Sequence, residues 1–161
     1  MKKIVVICAL FLSAAAALWF TYKDGYLYDV FSFIPPIQPS LSHSVSFPEA
    51  FPAASAETIL ENIRKDQQAL EQDSNDLDLW LDLAIQYERA GDTGGAVEVW
   101  KYLNRAFPKQ GISPYNLGVT YHQTLKDFSL SEKFYKQAIS RDPQNQLGYL
   151  GLHELYRYAY K

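Results

Sequence analysis

The sequence predicts an all-α domain, a solenoid of antiparallel helix pairs with about six helices, and three observations carry that expectation. The first is a recurring pattern. In residues 77–110, Trp80, Leu83, Ala84 and Tyr87 are followed by Ala96, Trp100, Leu103 and Pro108; in residues 111–145, Leu117, Gly118 and Tyr121 are followed by Ser131, Tyr135, Ala138 and Pro143. Steps of three and four residues keep each set on one helical face. The copies are 34 and 35 residues long, the length of one helix–turn–helix unit in a stacked array. The second observation is punctuation by glycine, proline and capping residues at the places where such helices must start and stop. The third is an aromatic content of 15%, with 12 Tyr, spread at regular intervals through the C-terminal two thirds of the chain.

Taken in order, the expected helices cover about 57–72, 77–90, 93–106, 113–124, 129–141 and 146–158. The first is a half-repeat, because Ala69 to Asn75 reads like the end of a second helix. Gly91 stops the next helix, and Asp92 with Thr93 restarts the chain. Ser113 before Pro114 reads as an N-cap followed by proline at the first helical position, and Ser129 with Glu132 as a capping box. Tyr149, Leu152 and Tyr156 mark the closing half-repeat, residues 146–160. The one extra residue of the second copy fits in the turn Leu125 to Asp127, where a slightly longer loop costs little. Leu60, Ile63 and Leu70 are expected to close one end of the stack, and Leu152, Leu155 and Tyr156 the other.

These residues resemble the tetratricopeptide signature, W-x2-L-G-x2-Y, then A-x3-F, then P. Departures are Ala84 for the small glycine, Trp100 for phenylalanine, Pro114 for tryptophan and Ser131 for alanine. The resemblance covers roughly residues 57–160. It implies a scaffold whose first helices line an inner groove that takes a peptide or protein partner. Carried onto this chain, the groove pattern falls on Asp78, Leu81, Ile85, Glu88 and Arg89; on Tyr115, Val119, His122 and Gln123; and on Leu150, Glu154, Arg157 and Tyr158. Aliphatic anchors with a polar rim are what an extended or helical peptide requires.

The first 55 residues differ in character. Lys2 and Lys3 precede an uncharged run from Ile4 to Phe20, seventeen residues that as a helix would span about 25 Å at ~1.5 Å per residue. Residues 1–22 are read as an uncleaved signal anchor, because Leu18, Trp19 and Phe20 carry the run past the alanines and Trp19 and Tyr22 suit an interfacial belt. Cleavage and export is the alternative, since Ser13 to Ala17 offers small-residue sites. The lysines ahead of the run place the N-terminus in the cytoplasm and the repeats outside; the short Met-Lys-Lys start is of bacterial type. Residues 23–55, with Pro35, Pro36, Pro39, Pro48 and Pro52, are expected to be a Pro/Ser-rich linker ahead of a repeat domain at 56–161. The aromatic stretch Tyr26 to Phe33 rests either on the membrane or on the domain.

The formal net charge of -3 includes no basic field, which argues against nucleic acid as a partner. The single cysteine, Cys8, lies in the apolar run and allows no internal disulfide or zinc cluster. His43, His122 and His153 lack metal-ligand spacing, and Gly91, Gly94 and Gly95 lack the strand and the Gly-Lys-Ser/Thr of a phosphate loop. No cofactor, metal or catalytic residue is expected. The aromatic series Trp80, Tyr87, Trp100, Tyr121 and Tyr135 is read as core. The expected function is therefore a membrane-tethered interaction scaffold, active in envelope assembly. Rival readings are an accessory domain of an envelope-polymer enzyme, with Glu88, His122 and Glu154 as its only plausible polar group, and a structural homo-oligomer. If the anchor is retained, the mature protein stays in the membrane fraction through a carbonate wash and intact mass places its start near Met1; a start at Ala16, Ala17 or Leu18 would show cleavage instead.

Overall fold

A computed structural model describes residues 35–159 of the chain; the apolar run 4–20, Cys8 and the stretch Tyr26 to Phe33 lie outside the described residues. Six helices and no strand occur among the described residues: α1 (Ala53–Gln72), α2 (Leu77–Ala90), α3 (Thr93–Ala106), α4 (Ile112–Gln123), α5 (Phe128–Arg141) and α6 (Gln146–Tyr158). The domain is all-α, as the repeat pattern predicts. Each helix packs on the next in the chain, and the backbone of α4 also meets that of α6, whereas no two odd-numbered helices bring their backbones together; α3 and α5 are bridged through side chains. The even-numbered face is thus the closer-set one at α4 and α6.

Local chemistry explains the boundaries. Asp76 caps α2 by accepting from the amides of Asp78 and Leu79, and Asp92 caps α3 through Gly95 N–H at 2.9 Å. Gly91 ends α2 at φ 78°, a conformation that costs a residue with a Cβ. Three expected starts differ. Helix α1 begins at Ala53, four residues ahead of the expected 57, so the expected linker 23–55 gives way to helix at Pro52, the residue at the N-cap position. Helix α4 begins at Ile112, so Ser113 lies inside it; its amide is capped from outside by Gln110 Oε1 at 2.9 Å. Helix α5 begins at Phe128 because Asp127, not Ser129, accepts the free amide of Leu130 at 3.0 Å. Glu132, the other half of the expected capping box, instead accepts from Lys136 and Tyr156. In the α4–α5 turn Lys126 takes a φ of 57°.

The expected core aromatics are all buried: Trp80, Tyr87, Trp100, Tyr121 and Tyr135. Trp80 Nε1 donates to Ser74 O at 2.9 Å and Trp100 Nε1 to Glu88 Oε1 at 2.8 Å, so neither indole loses its hydrogen bond on burial. Tyr135 of α5 reaches between α4 and α6. A Cβ at Gly118 would stand 2.6 Å from its ring and one at Gly151 2.4 Å, so two glycines on different helices make the slot it fills.

That slot corrects the expected register of α6. Gly148, Gly151 and Leu155 are buried, whereas Tyr149 and Tyr156 are exposed by 49% and 45%. The helix turns the face that lets its backbone approach α5 most closely, and bulky Tyr149 and Tyr156 are carried outward. Buried positions 80, 114 and 148 therefore recur in steps of 34 residues. At the other end Ile59, with Ile63 and Leu70, closes the stack, and Leu60 is 45% exposed.

Residues 36–52 belong to the same compact unit as the helices and form an irregular strap laid on it. Leu41, Val45, Phe47 and Phe51 pack against the core, and Pro39 is buried. Truncation of Trp100 to Ala removes one of the two fully buried tryptophans that join α2 and α3. A loss of about 3–5 kcal/mol is expected, a large share of the margin of a small domain, so Trp100→Ala should melt near room temperature by circular dichroism; unchanged melting would contradict the repeat alignment.

Candidate functional site

The candidate groove residues come from three helices, and their surroundings differ. On α2, Asp78, Ile85, Glu88 and Arg89 are exposed and Leu81 is half-buried against the core. On α4, Tyr115, Val119 and His122 are half-buried and Gln123 is exposed. On α6, Leu150 and Tyr158 are exposed by 54% and 61%, Arg157 is exposed and Glu154 is half-buried. The α4 and α6 sets are brought together by direct packing of these two helices. The α2 set joins them through Glu88, whose Oε1 accepts from Trp100 Nε1 and, at 3.5 Å, from Thr120 Oγ1 on α4.

Tyr135 forms the floor of the α4–α6 part. Its ring lies 6.1 Å from that of Tyr115 and 6.4 Å, edge-on, from that of His122. Burial pushes its hydroxyl up to about 12, with Tyr115 and Glu154 adding to the rise. It stays neutral and acts as a hydrogen-bonding group. His122 is wedged between Tyr135 and Phe128, 6.1 Å away, and its buried Nδ1 has no hydrogen-bond partner. Among the rim residues, Glu88 is exposed overall while its carboxyl end is tucked against Trp100 and Thr120; burial there raises its pKa, and the hydrogen bonds from those two residues partly offset the rise.

Of the trio Glu88, His122 and Glu154, Glu88 stands at the Trp100–Thr120 joint, whereas His122 and Glu154 both lie beside Tyr135, His122 with its ring edge-on at 6.4 Å. Among the described residues no group of three or more His, Cys, Asp or Glu side chains stands in a metal-holding arrangement, and no helix is long and apolar enough to cross a membrane.

A second constellation lies on the other side of α2 and went unnoticed in the sequence. The strap runs in the furrow between α1 and α3, whose backbones do not meet. At one end Gln38 Nε2 donates to Ser74 O at 3.1 Å and to Tyr102 Oη at 3.3 Å. Midway, His43 Nε2 lies 2.6 Å from Asp92 Oδ2, and its ring meets Tyr87 edge-on at 5.2 Å. Gln67 Nε2 on α1 donates to His43 O and Tyr87 Oη. A Cβ at Gly95 would stand 2.9 Å from His43 Nε2, so this glycine is a recess for the imidazole. The signal available in the sequence was the alternation Leu41-Ser-His43-Ser-Val45-Ser-Phe47, half-buried at one parity and largely exposed at the other.

No protein-family model matches the chain, and no curated protein matches it.

One carboxyl beside α2 has a measurable consequence. Burial, with Asp82 adding, raises Asp66 from 3.8 to about 6, and its Oδ2 is buried without a hydrogen-bond partner. The folded chain then holds this proton more tightly than the unfolded chain. The group favours folding most below 3.8, and that advantage is lost as pH rises through about 6. Asp66→Asn should raise the melting midpoint at pH 7, with the difference from the parent shrinking as pH falls towards 3.8; an equal difference at all pH values would exclude this origin.

Proposed function

We propose that the helical domain is a tetratricopeptide-type scaffold that binds a peptide or protein partner along its even-numbered helices, and that residues 4–20 tether it to a membrane with the domain on the extracytoplasmic side. The observation that carries the binding part is the strip formed by Ile85, Tyr115, Val119 and Leu150. These apolar side chains, half-buried or exposed, come from α2, α4 and α6, while the cores of the same helices are filled by Trp80, Leu117, Tyr121 and Leu155. They are not needed to close the domain and they remain available to a ligand. Arg89, Gln123 and Arg157 supply a polar rim, the arrangement that gives a peptide interface its direction and its anchor. Envelope assembly is the setting this reading fits, since a tethered scaffold concentrates its partner at the membrane.

The terminal helix favours a second reading as well. Leu147, Tyr149 and Leu150 are about half exposed on α6, where repeat arrays usually present a polar outer face. A homo-oligomer joined through α6 would cover them, and it would appear as a concentration-dependent mass in light scattering.

The groove reading is tested by affinity capture on the full chain in detergent, followed by Tyr115→Ala with Val119→Ala. Helix content should be kept while capture of the identified partner weakens by at least about tenfold, roughly 1.4 kcal/mol. Undiminished capture, with loss instead on changing Lys101 or Lys133 of the odd-numbered helices, would refute it.

A further inference from the structure

The strap is held as a ligand is held. Its inward side chains Leu41, His43, Val45 and Phe47 are only half-buried, and a single main-chain group, His43 O, is bonded to α1. Register comes from two side-chain clasps, Gln38 on Ser74 and Tyr102, and His43 on Asp92. The second clasp sits in the Gly95 recess, which discriminates by shape. A side chain there would occupy the space of the imidazole, and Asp92 and Tyr87 close the other sides.

The same place in the next repeat has no such recess. Asp127 caps α5 as Asp92 caps α3, and the third residue on is Leu130 where α3 has Gly95. The furrow between α3 and α5 is bridged by Asn104 Nδ2 donating to Gln137 Oε1 at 3.3 Å and by Arg141 donating to Asn104 O at 3.0 Å. An open, selective furrow is a property of the α1–α3 pair, not of the repeat.

We propose that the furrow between α1 and α3 is a second peptide-binding site, which takes an extended segment presenting Gln and then Leu, His, Val and Phe at alternate positions, with the chain's own residues 38–47 as its resident occupant in cis and the same segment of a second copy as its occupant in trans. The proposal is independent of the even-helix groove. A resident joined to its site by the chain has an effective concentration in the millimolar range, so an outside segment competes only when the resident is weakened.

The test uses the full chain and a fluorescent synthetic peptide of residues 36–51. Gln38→Ala with His43→Ala removes both clasps from the resident strap. This variant should take the peptide at least about tenfold more tightly than the unaltered chain, and a peptide carrying the same two substitutions should lose that gain. Adding Gly95→Ala closes the recess and should abolish peptide binding; because the added Cβ also stands 3.1 Å from Asp92 and Tyr87, circular dichroism must show this variant as folded as the double variant for the loss to count. A folded double variant that binds no better than the parent, or that binds both peptides alike, overturns the proposal. If the double variant does not fold, the unaltered chain decides. The peptide with a photoreactive group in place of Val45, in large excess, should crosslink to α1 and α3; crosslinks elsewhere, or none, overturn the proposal equally.

Discussion

The ring of Tyr135 lies where three helices meet, and it does so because Gly118 and Gly151 leave no side chain in its way. Elsewhere each helix packs mainly on its neighbours in the chain, and such an array is held by local interfaces added one to another. At Tyr135 a side chain from α5 ties α4 to α6 and sets the closest approach between alternate helices. The consequences spread from there. The face that α6 buries, the outward course of Tyr149 and Tyr156, and the floor of the candidate groove all follow from the slot.

A similar joint on the other side is polar. Glu88 accepts from Trp100 and Thr120, so α2, α3 and α4 share one carboxylate. Burial raises its pKa, and the two donors partly offset that rise. Apolar and polar joints thus alternate along the stack: Trp80 with Tyr102, 4.8 Å apart, then Glu88 with Trp100, then Tyr121 stacked on Phe134 at 5.6 Å.

Much of this was legible in the sequence because helix spacing and repeat length are periodic signals. Trp80, Leu83, Ala84 and Tyr87 announce a helical face, and their counterparts Leu117, Gly118 and Tyr121 confirm it one period later. What was illegible depended on the absence of a side chain. Gly148 and Gly151 carry no hydropathy, so a reading guided by large residues put Tyr149 and Tyr156 in the core in their place. Gly95 invites a phosphate-loop reading that its surroundings dismiss, yet in the fold it leaves room for a histidine 52 positions earlier in the chain. The helix starts at Ile112 and Phe128 were displaced for a simpler reason. Gln110 and Asp127 lie just outside the expected boundaries and reach the free amides first. The candidate groove residues were placed on the correct helices, but the engagement of Glu88 and the wedged setting of His122 depend on partners 32 and 6 or more residues away, which no local pattern encodes.

The strap begins beside the α1–α2 turn, at Ser74, and runs back past Asp92 to the start of α1, so it lies antiparallel to the helix that follows it. A tug arriving through the residues ahead of Pro36 and directed along the strap therefore acts in shear. Gln38, Leu41, His43, Val45 and Phe47 bear the load together, as the strands of a rope do. The same tug directed away from the furrow lifts Gln38 first and unzips the contacts one by one. The course of seventeen irregular residues thereby gives the domain a mechanical grain, firm in one direction and yielding in the other.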